Sequence, residues 1–195
     1  MLAHVGAGLA LRLLRRHHTL QRYGDAKKHH VAAAGGITAG WPVVSYISLS
    51  GGVFAAALAA HVAVNRVLPL VVEGDSANVG LAYVAHGFVR HGALAWAGYA
   101  VLLAAGCGHM VWGWAKWVGL AQGAGWKAQG STGNARLDRA VRRKKRRMLV
   151  IINAVAAAAA GLWAAGGLGI VARGGETPGW VGKLYDGLYE RIPGF

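Results

Sequence analysis

Acid is scarce in this chain: seven Asp and Glu stand against 21 Lys and Arg in 195 residues, and none falls within the first 22 positions. No pair of carboxylates is placed for acid–base work, and no Ser/His/Asp set can be assembled. Cysteine is nearly missing. Cys107 is the single one, which excludes an internal disulfide framework and leaves the redox compartment unread; inside an apolar run it is expected to pack as a small hydrophobe. The four prolines, Pro42, Pro69, Pro178 and Pro193, form no Pro-x-Pro motif. Gly106 to Gly108 lies within an apolar run and lacks the strand-to-helix setting of a phosphate-binding loop. These absences point away from an enzyme.

What is abundant is apolar length. The run from Ser45 to Val72 holds one full charge, Arg66, and the run from Gly92 is uncharged until Lys116. Each is long enough to cross a ~30 Å hydrocarbon layer at ~1.5 Å per residue. A third runs from Met148 to Val171 and is nearly all Ala, Gly, Leu and Ile, small residues that let helices approach closely in lipid; Asn153 is its one polar side chain at depth. Trp112, Trp114 and Trp117 supply the aromatic belt expected where a span meets headgroups. The mean hydropathy of +0.37 beside a pI of about 10.8 fits a membrane protein with basic loops.

The start, MLAHVGAGLALRLLRRHHTLQRY, reads either as a mitochondrial targeting helix or as the end of a span. The second reading is preferred, because AHVGAGLALRLLRR repeats the layout of GHMVWGWAKW: a histidine, a glycine four residues on (Gly8, Gly113), then the first basic residue. The expected fold is therefore all-α, a multi-spanning helical membrane bundle with three complete transmembrane helices plus a truncated N-terminal helix from an incomplete internal repeat. The division is 1–22 truncated transmembrane or amphipathic helix, 23–42 basic Gly/His linker, 43–171 transmembrane domain and 172–195 interfacial tail. LAYVAHGFV reads as a short interfacial helix after a turn at Gly74, Asp75, Ser76 and Asn78. The HH pairs of the linker have no carboxylate or thiolate companion, and no metal is expected.

Threading the chain through these spans places 16 of the 21 basic residues and two of the seven acids on one face, and five of each on the other. This segregation follows the positive-inside tendency. Arg142, Arg143, Lys144, Lys145, Arg146 and Arg147 stand directly before the third span. They are candidates for anionic lipid headgroups, at ~1 kcal/mol per basic residue, or serve only to set topology. Tethered to a bilayer, they do not read as a nucleic-acid patch.

Polar side chains at membrane depth are costly, so His4, His61 and His109 need a role. His4 lies eight residues before Arg12 and His109 seven before Lys116, which puts both ~11 Å below the basic face; His61 sits near the other face, five residues before Arg66. Three readings stay open. Each imidazole bonds a neighbouring helix; the histidines relay protons; or His4 and His109, with His61 and Arg66 as further candidates, hold a b-type haem, arginine binding its propionates. In the haem reading Gly8 and Gly113 leave room for the flat macrocycle.

The stretches NRVLPLVVEGDSANVGLAYVAHGFVRHG, GHMVWGWAKWVGLA and GLWAAGGLGIVARGG resemble the fungal mitochondrial adapter family known by its MCP transmembrane domain. The likeness extends to the tail GWVGKLYDGLYERIPGF. It implies a multi-pass mitochondrial outer-membrane protein that acts in lipid homeostasis as a scaffold or adapter at organelle contact sites, with membrane lipids and a bridge-like lipid-transfer protein as partners and no nucleic acid. The chain departs from that pattern at its start, where family members carry an earlier span and an upstream Pro-x-Pro docking signal. A more distant similarity is to the cytochrome b anchor subunits of succinate dehydrogenase, through G-x-x-H at Gly106 to His109 and the pair Ser50 and Gly51. That family's ligating histidine lies seven residues earlier, where this chain has Leu102. Scaffold and haem cytochrome are the leading function classes. A transporter or scramblase would need a polar groove, for which few polar residues lie at mid-depth.

Overall fold

The computed structural model describes residues 2–23, 45–125 and 133–194. Most of the predicted basic linker, with Trp41 and Pro42, and the loop around Ser131 lie outside the described residues. The chain divides into two units, Met1–Tyr46 and Ile47–Phe195. In the first, α1 covers Leu2–Tyr23. Its uncharged stretch ends at Arg12, ~15 Å along the helix axis, about half a hydrocarbon layer.

From Tyr46 onward the described residues form α2 (Tyr46–Glu73), α3 (Leu81–Arg90), α4 (Gly92–Trp117), α5 (Ala135–Ala172) and α6 (Gly179–Tyr189), with a short 3-10 helix at Leu120–Gly123. No strand occurs among the described residues. The three predicted spans are α2, α4 and α5, with 28, 26 and 38 residues, all long and apolar enough to cross a membrane. The third reaches further back than its apolar run. Its helix starts at Ala135 because Asn134 caps it, the side-chain Oδ1 accepting from the Arg136 and Leu137 backbone N–H groups at 3.0 and 3.3 Å, and because the Arg/Lys run continues as good helix former. The basic stretch is thus a rigid extension of the span itself.

Two spans carry a π-turn. In α2 it covers Ala63–Val67, directly before Pro69, which brings no N–H to the Asn65 carbonyl, its partner in an α-helix. Side chains repair the ladder there: the Asn65 amide donates to the His61 carbonyl at 2.8 Å and Arg66 Nη1 to the Asn65 carbonyl at 3.3 Å. In α5 the π-turn covers Ala164–Leu168 and holds Gly166 and Gly167, a pair that loosens a helix.

Large apolar side chains on the spans, such as Leu70, Val150, Leu162 and Ile170, are exposed, as a surface facing lipid requires. The tightest core lies beyond the spans, where α3 meets α6 through Val79, Tyr83, Tyr185, Leu188 and Tyr189. Apolar burial drives packing in water and not between helices in lipid, so a dense core belongs outside the hydrocarbon.

Candidate functional site: an apolar cleft beneath a helical cap

Between α2 on one side and α4 and α5 on the other opens a cleft of about 840 Å³. Its floor is Phe54, whose ring packs on Gly106 so closely that a Cβ there would stand 2.9 Å from it. Leu58 and Val62, Leu102 and Leu103, and Leu168 and Val171 form the walls, and Gly80 with Leu81, at the start of α3, edges the mouth. Both π-turns border it, through Asn65 and Arg66 in α2 and Gly167 and Leu168 in α5. Four side chains bring polarity: His61, Asn65, Arg66 and Tyr99. His61 sits edge-on to Tyr99 across the gap, ring centroids 5.4 Å apart at 83°, with its Nδ1 3.4 Å from the Asn65 amide. Arg66 Nη1 donates to the Val79 carbonyl at 2.7 Å and approaches that of Ser76 at 3.5 Å, tying the end of α2 to the turn before α3.

His109 lies below this floor and faces α2. Its Nδ1 is 3.0 Å from the Ile47 carbonyl and 3.5 Å from Ser50 Oγ, and its ring stacks with Phe54 at 6.4 Å and 28°. A carbonyl only accepts, so the imidazole proton is on Nδ1. Gly51 is the residue that admits the ring, since a Cβ there would meet His109 Cε1 at 2.7 Å; among the described residues a Cβ on Gly113 would meet nothing within 4 Å. Ser50, Gly51, Gly106 and His109 are therefore brought together at the face between α2 and α4. His61 and Arg66 share the cleft. His4 belongs to α1, in the other unit of the chain.

At the opposite end of α5, Arg139, Arg142, Arg143 and Arg146 line a shallow depression on one helix face, the spacing that i, i+3, i+4 and i+7 produce. Asn153, the one polar residue predicted at depth, accepts a hydrogen bond from Trp112 Nε1 at 2.9 Å, joining α5 to α4.

Sequence reasoning placed α3 and the tail at the interface but passed over the side chains that join them into a cap. His86 is 1 % exposed, between Thr177, whose backbone N–H donates to Nδ1 at 3.2 Å, and Asp186, whose Oδ1 accepts from Nε2 at 3.0 Å. The Thr177 amide can only donate, which fixes the ring proton on Nε2. Arg90 completes the brace, its Nε 3.0 Å from Asp186 Oδ1 and its Nη1 3.8 Å from Glu176. The hydrogen bond from His86 first, then those from Arg90, hold the Asp186 carboxyl below its usual value of 3.8 against the opposing effect of burial. Burial pushes the Tyr83 phenol up to about 12. Two glycines permit the contact: a Cβ on Gly87 would collide with the Tyr189 hydroxyl, and one on Gly182 with the Thr177 carbonyl oxygen. The available signal was slight, an apolar face of α3 containing His86 and glycines in a tail rich in tyrosine.

The profile of the family described as MDM10-complementing protein 1, transmembrane domain, matches residues 56–176. That stretch runs from within α2 to just past the end of α5 and includes the cleft apart from its floor residue Phe54, together with His61, Arg66, His109 and the basic run. No curated protein and no solved structure matches the chain, the succinate dehydrogenase anchors included.

Proposed function

Because the chain belongs to the family of the MDM10-complementing protein 1 transmembrane domain, we propose that it is a mitochondrial outer-membrane protein that acts in lipid homeostasis as a scaffold or adapter at organelle contact sites. The observation that carries this reading is the extent of the match, which runs from Ala56 within α2 through α5. The basic extension of α5 supports it: four arginines on one face suit anionic headgroups. A bridge-like lipid-transfer protein is the proposed partner. The test is expression of the tagged chain in cells lacking the endogenous family member. Outer-membrane protease accessibility, restored mitochondrial phospholipid levels and recovery of the transfer protein by cross-linking are expected. An inner-membrane location would overturn the assignment, and normal location without lipid rescue would overturn the adapter role.

A b-type cytochrome is the second reading, with a specific observation behind it. A histidine whose Nδ1–H is held by a backbone carbonyl, as His109 is by Ile47, has the outer-shell partner that orients metal-ligating imidazoles. A Soret band in the purified protein, lost in His109→Ala, would establish it. A spectrum without such a band would reject it.

A further inference from the structure

We propose that the cleft between α2 and the α4–α5 pair is a binding site for one phospholipid, its phosphate on Arg66 and one acyl chain inside. The guanidinium is held in place by a single nitrogen: Nη1 alone reaches the carbonyls of Asn65, Ser76 and Val79. Nε and Nη2 have no protein acceptor among the described residues, and no acid pairs with Arg66 there. A fixed cation with two parallel N–H groups to spare matches a phosphate, which arginine binds in bidentate fashion.

The rest of the cleft suits what hangs from that phosphate. From Arg66 down to Phe54 is ~18 Å along α2 at ~1.5 Å per residue, and the walls between are apolar except for His61, Asn65 and Tyr99. Phe54 on Gly106 closes the bottom, so the space has a charged mouth and an apolar blind end, the polarity of a lipid entering from the leaflet next to α3. Both π-turns border the cleft, where they interrupt the regular α-helical register of α2 and α5. The site rests on this geometry and not on the adapter reading, and either can fail without the other.

Native mass spectrometry of the full chain released from mild detergent tests it, with phosphatidylcholine and phosphatidylinositol as the supplied lipids. One retained phospholipid per chain is expected. Arg66→Gln should lower its occupancy about tenfold through loss of the charge-assisted contacts, and Leu103→Trp, which fills the cleft without touching Arg66, should displace it as well. Lys183→Gln, an exposed cation on α6 that does not line the cleft, should leave it in place. Equal retention in Leu103→Trp and wild type would mean annular lipid only and would overturn the proposal, as would a wild-type chain that retains none.

Discussion

At the scale of single residues the cap is where small changes cost most. Tyr189 stacks on Tyr83 with centroids 4.5 Å apart at 11°, and its hydroxyl donates to the Tyr83 carbonyl at 3.1 Å. Gly87→Ala would drive a methyl into that hydroxyl, so a loss of ~1–3 kcal/mol is expected in thermal unfolding. Gly98→Ala, a helix position whose added Cβ meets nothing within 4 Å among the described residues, should be neutral or slightly stabilising. The Asp186 brace sets a pH dependence with a definite sign. A carboxyl held below 3.8 adds stability that is fully present above that value and is lost as pH falls through its lower folded value. Melting curves across the acid range should show the cap weakening there in the wild type and much less in Asp186→Asn; identical acid slopes would remove Asp186 from the account. Neither effect was legible beforehand. His86 and Asp186 are 100 positions apart, and one histidine among nine carries no local mark of its partner.

At the scale of elements, the spans were legible and their joints were not. Length and uniform apolarity are local properties, so α2, α4 and α5 could be read to within a residue or two, apart from the basic start of α5. The π-turns arise from Pro69 and from Gly166 with Gly167 in ways a hydropathy pattern does not register, yet they border the cleft that sequence reasoning did not foresee. Helix pairing in lipid depends on a few polar contacts, of which Trp112 to Asn153 is the clearest. A double-mutant cycle with Trp112→Phe and Asn153→Ala is expected to return a coupling of ~0.6 kcal/mol, the usual size for a membrane hydrogen bond. A coupling of zero would mean that each group finds another partner when the bond is lost.

At the scale of the whole molecule, sidedness follows from charge and packing together. Residues 116–147 hold ten basic residues and one acid, at the end of α5 that bears the arginine face, whereas 66–91 and 172–195 hold five of each. The latter two segments also meet: α3 and α6 share the Val79, Tyr83 and Tyr185 core, which places both connections at the end opposite the arginines. An odd number of crossings between Ser76 and Ala140 is then required, since α4 alone separates them. In a Cys107→Ala background, single cysteines at Ser76→Cys and Ala140→Cys should react with an impermeant maleimide from opposite sides of sealed membranes. Under the proposed outer-membrane location the excess of positive charge puts Ala140→Cys on the cytosolic side, so a maleimide too large for porins should label it in intact mitochondria and spare Ser76→Cys. Labelling of both from one side would show that α4 does not cross, and with it the cleft would lose its lipid-facing wall.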